Sequence, residues 1–222
     1  MKKPDRDYAA EMVTNRSGNP WTSPTLNRRR LALTLRKLRE NKGMRAVDAS
    51  HQAEHEGSWL SKIERGEVRP GINDVKALLE IYDVPGDHRP ALIEMARGAK
   101  KRGWWQPFSG VLPDWFVDFV GLESNATVLR NYECQVVPGL LQTEAYARAT
   151  IAVAPVPVPP DETDRLVALR MERQKNLDRP DLSLLVVMDE SVVLQQIGGP
   201  GVMRQQVEHL AERLLGMRVI TL

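Results

Sequence analysis

The sequence predicts an all-α N-terminal domain of five helices, followed by an α+β domain. Apolar residues with helical spacing, separated by short Gly and Pro segments, fill residues 25–103, whereas aromatic and β-branched clusters follow from Trp104 onward. A length of 222 residues is sufficient for two domains of ordinary size. The net charge divides at the same place, with +6 on residues 25–103 and −5 on residues 104–222. We therefore expect only the first domain to bind a polyanion.

Residues 1–24 are polar and interrupted by proline and glycine, which predicts a flexible N-terminal arm. Ser23 or Thr25 is the expected N-cap of the first helix, which should end at Gly43. The four further helices of this domain are expected at residues 46–53, 57–65, 75–82 and 90–102. Helices this short are not stable alone in water, so they must pack on one another.

The second domain mixes predicted helices and strands. The helices are expected at residues 114–124, 144–151, 161–176 (capped by Asp161), 191–197 and 201–215, and the strands at 127–137, 182–188 and 218–222. The segment 153–160 contains too many prolines for a helix and should run extended. We expect Cys134 and the aromatic cluster at 104–119 to lie in the core.

Several classes of protein are excluded by composition. The single Cys134 cannot form an internal disulfide, and no apolar run approaches the roughly 20 residues that span a bilayer. The first residues lack the apolar core of a signal peptide. These features predict a cytoplasmic protein with no membrane partner.

Three patterns contain residue types that can serve a metal, phosphate or catalytic site. His51 and His55 lie four residues apart, but a zinc site needs further ligands. Gly198 to Gly201 precedes a helix but lacks the lysine of a phosphate loop. An enzymatic alternative rests on Asp189 and Glu190 alone, and adjacent acids at a helix start are better explained by the helix macrodipole. We expect no metal, no cofactor and no enzymatic activity.

Residues 35–84 contain two short helices separated by a tight turn, which is the pattern of a helix-turn-helix. The positions that match a known pattern are Leu35, Leu38, Arg39, Gly43, Met44, Ala49, Leu60, Ser61, Ile63, Glu64, Gly66, Arg69 and Pro70. On these residues the segment resembles the helix-turn-helix regulators of the XRE (Cro/repressor-like) family. The resemblance implies a transcriptional regulator that binds double-stranded DNA.

The resemblance also assigns roles within this segment. The recognition helix is expected at about residues 57–65, with Glu56 as its N-cap and with Leu60 and Ile63 in the core. The residues expected to contact DNA are Arg45, Gly57, Ser58, Trp59, Ser61, Lys62, Arg65 and Arg69.

The chemistry of these side chains suits different parts of the duplex. Lys62 suits either guanine O6 and N7 or a phosphate, and Ser58 suits either a base or a phosphate. The arginines suit phosphates. Glu64 would be repelled by DNA and is expected to pair with Arg36 or Arg39.

Three residues depart from the family pattern. Gly57 stands where a base-reading side chain is common, Ala46 stands where many members have a phosphate-binding glutamine, and Glu54 replaces the usual glycine of the turn. These departures favour an alternative, in which the helix-turn-helix is degenerate and the protein is a protein-interaction or ligand-sensing module.

The second domain also carries motifs of a known group. They are Trp104-Trp105, Leu112-Pro113, Leu122-Glu123, 137–143 (VPGLLQT), Tyr146 to Arg148, Arg170, 172–174 (ERQ), Asp189-Glu190 and 198–204 (GGPGVMR). These resemble the C-terminal domain of unknown function that is fused to such regulators in actinomycete-type genomes. The resemblance implies a homodimer, a small acidic partner protein and a small-molecule effector as partners. Because that domain normally continues beyond a final strand, the chain looks truncated and its last sheet is expected to be incomplete.

Overall fold

The computed structural model of the protein describes residues 23–214 and 219–221. The predicted arm at 1–24 therefore lies outside the described residues, apart from its last two positions. Two compact units are present, one ending at Gly103 and the other beginning at Trp104. Among the described residues, no helix is long and apolar enough to cross a membrane.

The first unit is all-α, as predicted. Its helices are α1 (Pro24–Asn41), α2 (Ala46–Gln52), α3 (Trp59–Glu64), α4 (Ile72–Ile81) and α5 (Arg89–Lys100). Ser23 caps α1, since its Oγ accepts a hydrogen bond from the Leu26 amide at 3.3 Å. After α1, Gly43 has a φ of 69°, the left-handed conformation that glycine adopts at helix ends.

Helix α4 begins three residues before the predicted position. The cause is a cap that apolar spacing does not reveal: the Asp74 carboxylate accepts a hydrogen bond from the Gly71 amide at 2.7 Å. The first turn of α4 is thereby stabilised ahead of its first buried residue, Val75.

A single apolar core joins the five helices. Its buried members are Leu31, Leu35, Ala49, Leu60, Ile63, Val75, Leu78, Leu79, Tyr82, Val84, Leu92 and Ala96. Leu60 and Ile63 are 0% and 1% exposed, so their predicted core positions are confirmed. Both residues anchor α3 to the rest of the unit.

The second unit combines helices with a small sheet, which confirms the predicted α+β class. Its elements are α6 (Asp114–Glu123), β1 (Val128–Glu133), α7 (Glu144–Ala152), α8 (Pro160–Gln174), β2 (Ser183–Met188), α9 (Ser191–Leu194), α10 (Pro200–Leu214) and β3 (Val219–Thr221), with 3₁₀ turns at 106–111, 139–141 and 175–178. The strands are parallel and lie in the order β1-β2-β3. Helices form each crossover, as parallel strands require.

Three predictions for this unit are wrong. Strand β1 stops at Glu133, opposite the last residue of β2, Met188, so Cys134 lies beyond the ladder and is exposed. Helix α8 has Pro159 as its N-cap instead of Asp161, because a proline at Pro160 suits the first helical position. Two members of the predicted aromatic core are exposed, Trp115 at 70% and Phe119 at 43%.

The segment 137–143 is buried through Val137, Leu140 and Leu141, and polar side chains pair its backbone. Gln206, which is fully buried on α10, accepts a hydrogen bond from the Thr143 amide and donates one to the Leu141 carbonyl, both at 2.7 Å. The buried Tyr146 hydroxyl accepts one from the Val137 amide at 3.2 Å. These bonds satisfy backbone groups that no helix or strand pairs.

A buried ion pair joins α6 to α8. The Arg173 guanidinium donates two hydrogen bonds to the Glu123 carboxylate, at 2.7 and 2.8 Å, and the two side chains are 9% and 2% exposed. The same guanidinium lies 5.2 Å from the centre of the Phe116 ring. The pair is thus enclosed by apolar surface.

We predict that Arg173→Met lowers the free energy of unfolding of the second unit by about 3–5 kcal/mol, because it leaves the Glu123 carboxylate buried without a partner. Urea unfolding of the full chain measures this change. The control is Arg148→Met, which removes the exposed pair with Asp164 and should change stability little. Equal effects of the two substitutions would contradict the role of burial.

Candidate nucleic-acid interface

The candidate interface is built from α2, the turn at 53–58 and α3. Helix α3 is shorter than the predicted 57–65, and its N-cap is Ser58, so the assignment of Glu56 as N-cap is wrong. The Trp59 amide donates to the Glu56 carbonyl at 3.0 Å, which closes a tight turn ahead of the helix. Gly57 lies in that turn, where its low helix propensity is no disadvantage.

One ion pair fixes α3 against α1. Arg39 donates two hydrogen bonds to the Glu64 carboxylate, at 2.7 and 2.8 Å, and a third to the Met44 carbonyl at 2.7 Å. The side chains of the pair are 11% and 7% exposed. The hydrogen bond that Arg39 donates to Glu64 is the largest cause of the raised pKa of the Arg39 guanidinium. Of the two predicted partners of Glu64, Arg39 is therefore confirmed.

Ser50 is a positioning residue that the sequence did not reveal. Its hydroxyl donates to the Ala46 carbonyl at 2.9 Å and accepts from the Leu60 amide at 3.2 Å, and the residue is fully buried. The bond to Leu60 ties α2 to the first turn of α3. The only sign of this role in the sequence is that Ser50, a small polar residue, follows the apolar Ala49 in a short helix.

The turn between the two helices holds an unfavourable residue. Glu54 has a φ of 60°, in the left-handed region that favours glycine. Next to it, the His55 ring stacks on the Trp59 ring with centroids 3.8 Å apart, and His55 Nε2 lies 3.3 Å from Asp74 Oδ1. The turn is thus tied both to α3 and to the start of α4.

The predicted cationic contacts are mostly paired with acids. Arg45 makes two hydrogen bonds to Asp48, at 2.6 and 2.7 Å, and lowers the pKa of that carboxyl. Arg65 does the same to Glu67, at 2.6 and 3.0 Å. Lys62 Nζ lies 3.7 Å from the Glu56 carboxylate.

The fourth cation differs from these three. Arg69 is exposed in the loop after α3 and makes no ion pair with any residue that the structure describes. It precedes Pro70, which is buried and limits the movement of the loop backbone.

The uncharged predicted contacts divide into two pairs. Ser58 is exposed and Ser61 is partly exposed at the outer side of α3. Trp59 packs against the core, and the His55 ring stacks on one face of its indole ring. At Gly57, an added Cβ would lie 2.8 Å from Cγ2 of Val47, so α2 leaves no space for a side chain.

The part of the first unit that contains α2, α3 and α4 is acidic as a whole. Residues 44–88 contain five Lys and Arg against nine Asp and Glu, a net charge of −4. The positive charge of the first unit therefore lies elsewhere, in α1 and α5.

Other patterns from the sequence have structural explanations. Asp189 accepts a hydrogen bond from the Ser191 amide at 2.8 Å at the start of α9. The pKa of its carboxyl is lowered, first by the side chain of Ser191 and then by this amide. Gly198 and Gly199 form a turn with φ values of 73° and 87°. In the described ranges, no three His, Cys, Asp or Glu side chains are grouped to hold a metal ion.

Comparison with known families identifies both units. Residues 30–92 match the model of a helix-turn-helix domain, and residues 116–219 match the model of a domain of unknown function, DUF5753. No curated protein and no solved structure matches the chain.

We predict that Glu54→Gly raises the free energy of unfolding by about 1 kcal/mol, because glycine adopts a φ of 60° without a Cβ clash. Thermal unfolding of the full chain measures the gain. Glu54→Gln removes the same charge but keeps the Cβ, so it should give no such gain. Equal stabilisation by both substitutions would show that charge, and not backbone conformation, determines the effect.

Proposed function

We propose that this protein is a transcriptional regulator. The chain belongs to the XRE-like helix-turn-helix proteins that carry a C-terminal domain of unknown function, and this membership is the premise of the proposal. In this proposal α3 enters the major groove of double-stranded DNA. The observation that supports it is the fixed position of α3. Its apolar side is buried through Leu60 and Ile63, while Ser58, Ser61 and Lys62 remain on its outer side.

The proposed contacts differ in kind. Lys62 donates to guanine O6 and N7, and Ser58 and Ser61 donate to or accept from bases or phosphates. Arg45, Arg65 and Arg69 contact phosphates and set the register on the duplex. For Arg45 and Arg65, each phosphate contact replaces a carboxylate contact, so their contribution to affinity is smaller than that of an unpaired arginine.

Gly57 and Trp59 take a different part in this proposal. The missing side chain at Gly57 lets the turn pack closely against Val47 of α2, so any contact of Gly57 with the duplex is made by its backbone. Trp59 stays packed against the core of the first unit, so at most the edge of its ring contacts the duplex. Selectivity then depends mainly on Lys62 and Ser58.

The acidic character of residues 44–88 favours a second candidate function. In this alternative, the helix-turn-helix is degenerate and the protein is a protein-interaction or ligand-sensing module. Absence of duplex binding at low salt, together with capture of a partner protein, would favour it.

For the second unit we propose a non-enzymatic regulatory role. It senses a small-molecule effector or a small acidic partner protein. The protein acts in the cytoplasm as a homodimer, so that its two recognition helices occupy two half-sites of the DNA.

The test of the main proposal is selection of DNA ligands by the purified full chain from a pool of random duplexes. Enrichment of one sequence motif supports the proposal. A pool that remains random after repeated selection at low salt would overturn sequence-specific regulation.

We predict that Lys62→Ala weakens binding to the enriched motif about tenfold or more, and binding to random duplex much less, because a base contact of this kind contributes ~1–3 kcal/mol of discrimination. Fluorescence anisotropy with both duplexes measures the ratio. Lys76→Ala, an exposed lysine of α4, is the matched control and should leave that ratio unchanged. An equal loss of affinity for both duplexes would show that Lys62 contacts only a phosphate.

A further inference from the structure

The positive charge of the first unit is concentrated outside α2, α3 and α4. Residues 24–43 carry seven Lys and Arg against one acid, and residues 89–103 carry five against one. These two segments therefore have net charges of +6 and +4, whereas residues 44–88 have −4. The net charge of the whole unit therefore hides two strongly basic segments and one acidic segment.

The two basic segments come together at one end of the unit. Near the start of α1, the Asn27 amide occupies the space that a side chain at Gly98, near the end of α5, would need. The start of α1 thus lies against the end of α5. We call the exposed cations there the basic end: Arg30 on α1, with Lys100, Lys101 and Arg102 at the end of α5.

The basic end differs from the interface cations in its surroundings. Neither residues 24–39 nor residues 95–103 contain an acid. Arg30, Lys100, Lys101 and Arg102 make no ion pair with any residue in the described ranges. The macrodipole of α5 favours cations at its C-terminal end, but it does not explain Arg30, which lies in the first half of α1. Like charges gathered from two helices repel one another, so folding alone does not explain the whole cluster.

The basic end is also separate from α3. Arg30 lies nine residues from Arg39, the partner of Glu64, which corresponds to about 14 Å along α1. A phosphate contact at the basic end therefore lies outside the groove segment that α3 would occupy.

We propose that the basic end is the main phosphate-binding surface of this protein, and that it holds the sugar-phosphate backbone of duplex DNA independently of base sequence. This inference rests on the proposed function and deepens it. The basic end supplies the salt-dependent affinity, and α3, in an acidic segment, supplies selection. Each phosphate contact releases counterions from the duplex, so such a surface makes the DNA affinity fall more steeply as the salt concentration rises.

The test compares two triple variants of the full chain with equal charge change, Arg30→Gln/Lys100→Gln/Arg102→Gln and Arg45→Gln/Arg65→Gln/Arg69→Gln. Anisotropy with a random duplex measures the binding constant over a range of salt concentrations. For the basic-end variant we expect the slope of log K against log salt to become less steep by about 2–3, since each lost phosphate contact contributes about 0.9. The helix-turn-helix variant should change the slope by less than half as much. Circular dichroism and thermal midpoints confirm that both variants fold.

The outcomes separate this inference from the proposed function. If the wild type selects a motif but the basic-end variant keeps the wild-type slope, the inference is overturned and the regulator proposal stands. If the basic-end variant loses slope but no motif is ever selected, the inference stands and the regulator proposal fails. Failure of the wild type to bind any duplex at low salt overturns both. Tighter binding to phosphatidylglycerol vesicles than to duplex, lost in the same variant, would assign the surface to a membrane and overturn the inference.

Discussion

The position of helix α3 depends on the ion pair between Arg39 and Glu64. Helix α3 has only six residues, too few to be stable alone, so its orientation comes from contacts with its neighbours. Leu60 and Ile63 bury one side of it, and the bond from the Leu60 amide to Ser50 fixes its first turn. Glu64 then locks its last turn to α1. An acid that DNA would repel is thereby withdrawn from the surface and used for structure.

The second unit is organised by a comparable use of polar groups. The segment 137–143 follows a strand end and contains no long helix of its own, yet it lies in the core. Gln206 supplies one donor and one acceptor to its backbone, and the Gln174 amide donates to the Gly139 and Gln142 carbonyls at 3.1 and 2.7 Å. Buried polar networks of this kind are costly unless every member is paired, and that requirement determines where α8 and α10 lie.

Most elements of both units were predictable from apolar spacing and turn residues, because these patterns reflect burial. The departures come from interactions between residues that spacing cannot reveal. Asp74 starts α4 early by capping Gly71, and β1 stops where its partner β2 stops, which leaves Cys134 exposed. At the interface, the sequence predicted which cations belong to the segment. The spacing of Arg45 and Asp48, three residues apart at a helix start, already favours a pair. For Arg65 and Glu67, which lie two residues apart after α3, the pairing depends on the conformation of the loop, which the sequence does not show.

Segregation of charge within the first unit has a consequence for the choice of DNA site. Residues 44–88, which contain α2, α3 and α4, have an excess of acids, and the excess of arginine and lysine is on α1 and α5. Substitutions at Ser58 or Lys62 therefore leave the strongly positive segments intact. In the proposed regulator, a few substitutions on α3 therefore change the preferred DNA site while the charges of α1 and α5 are kept.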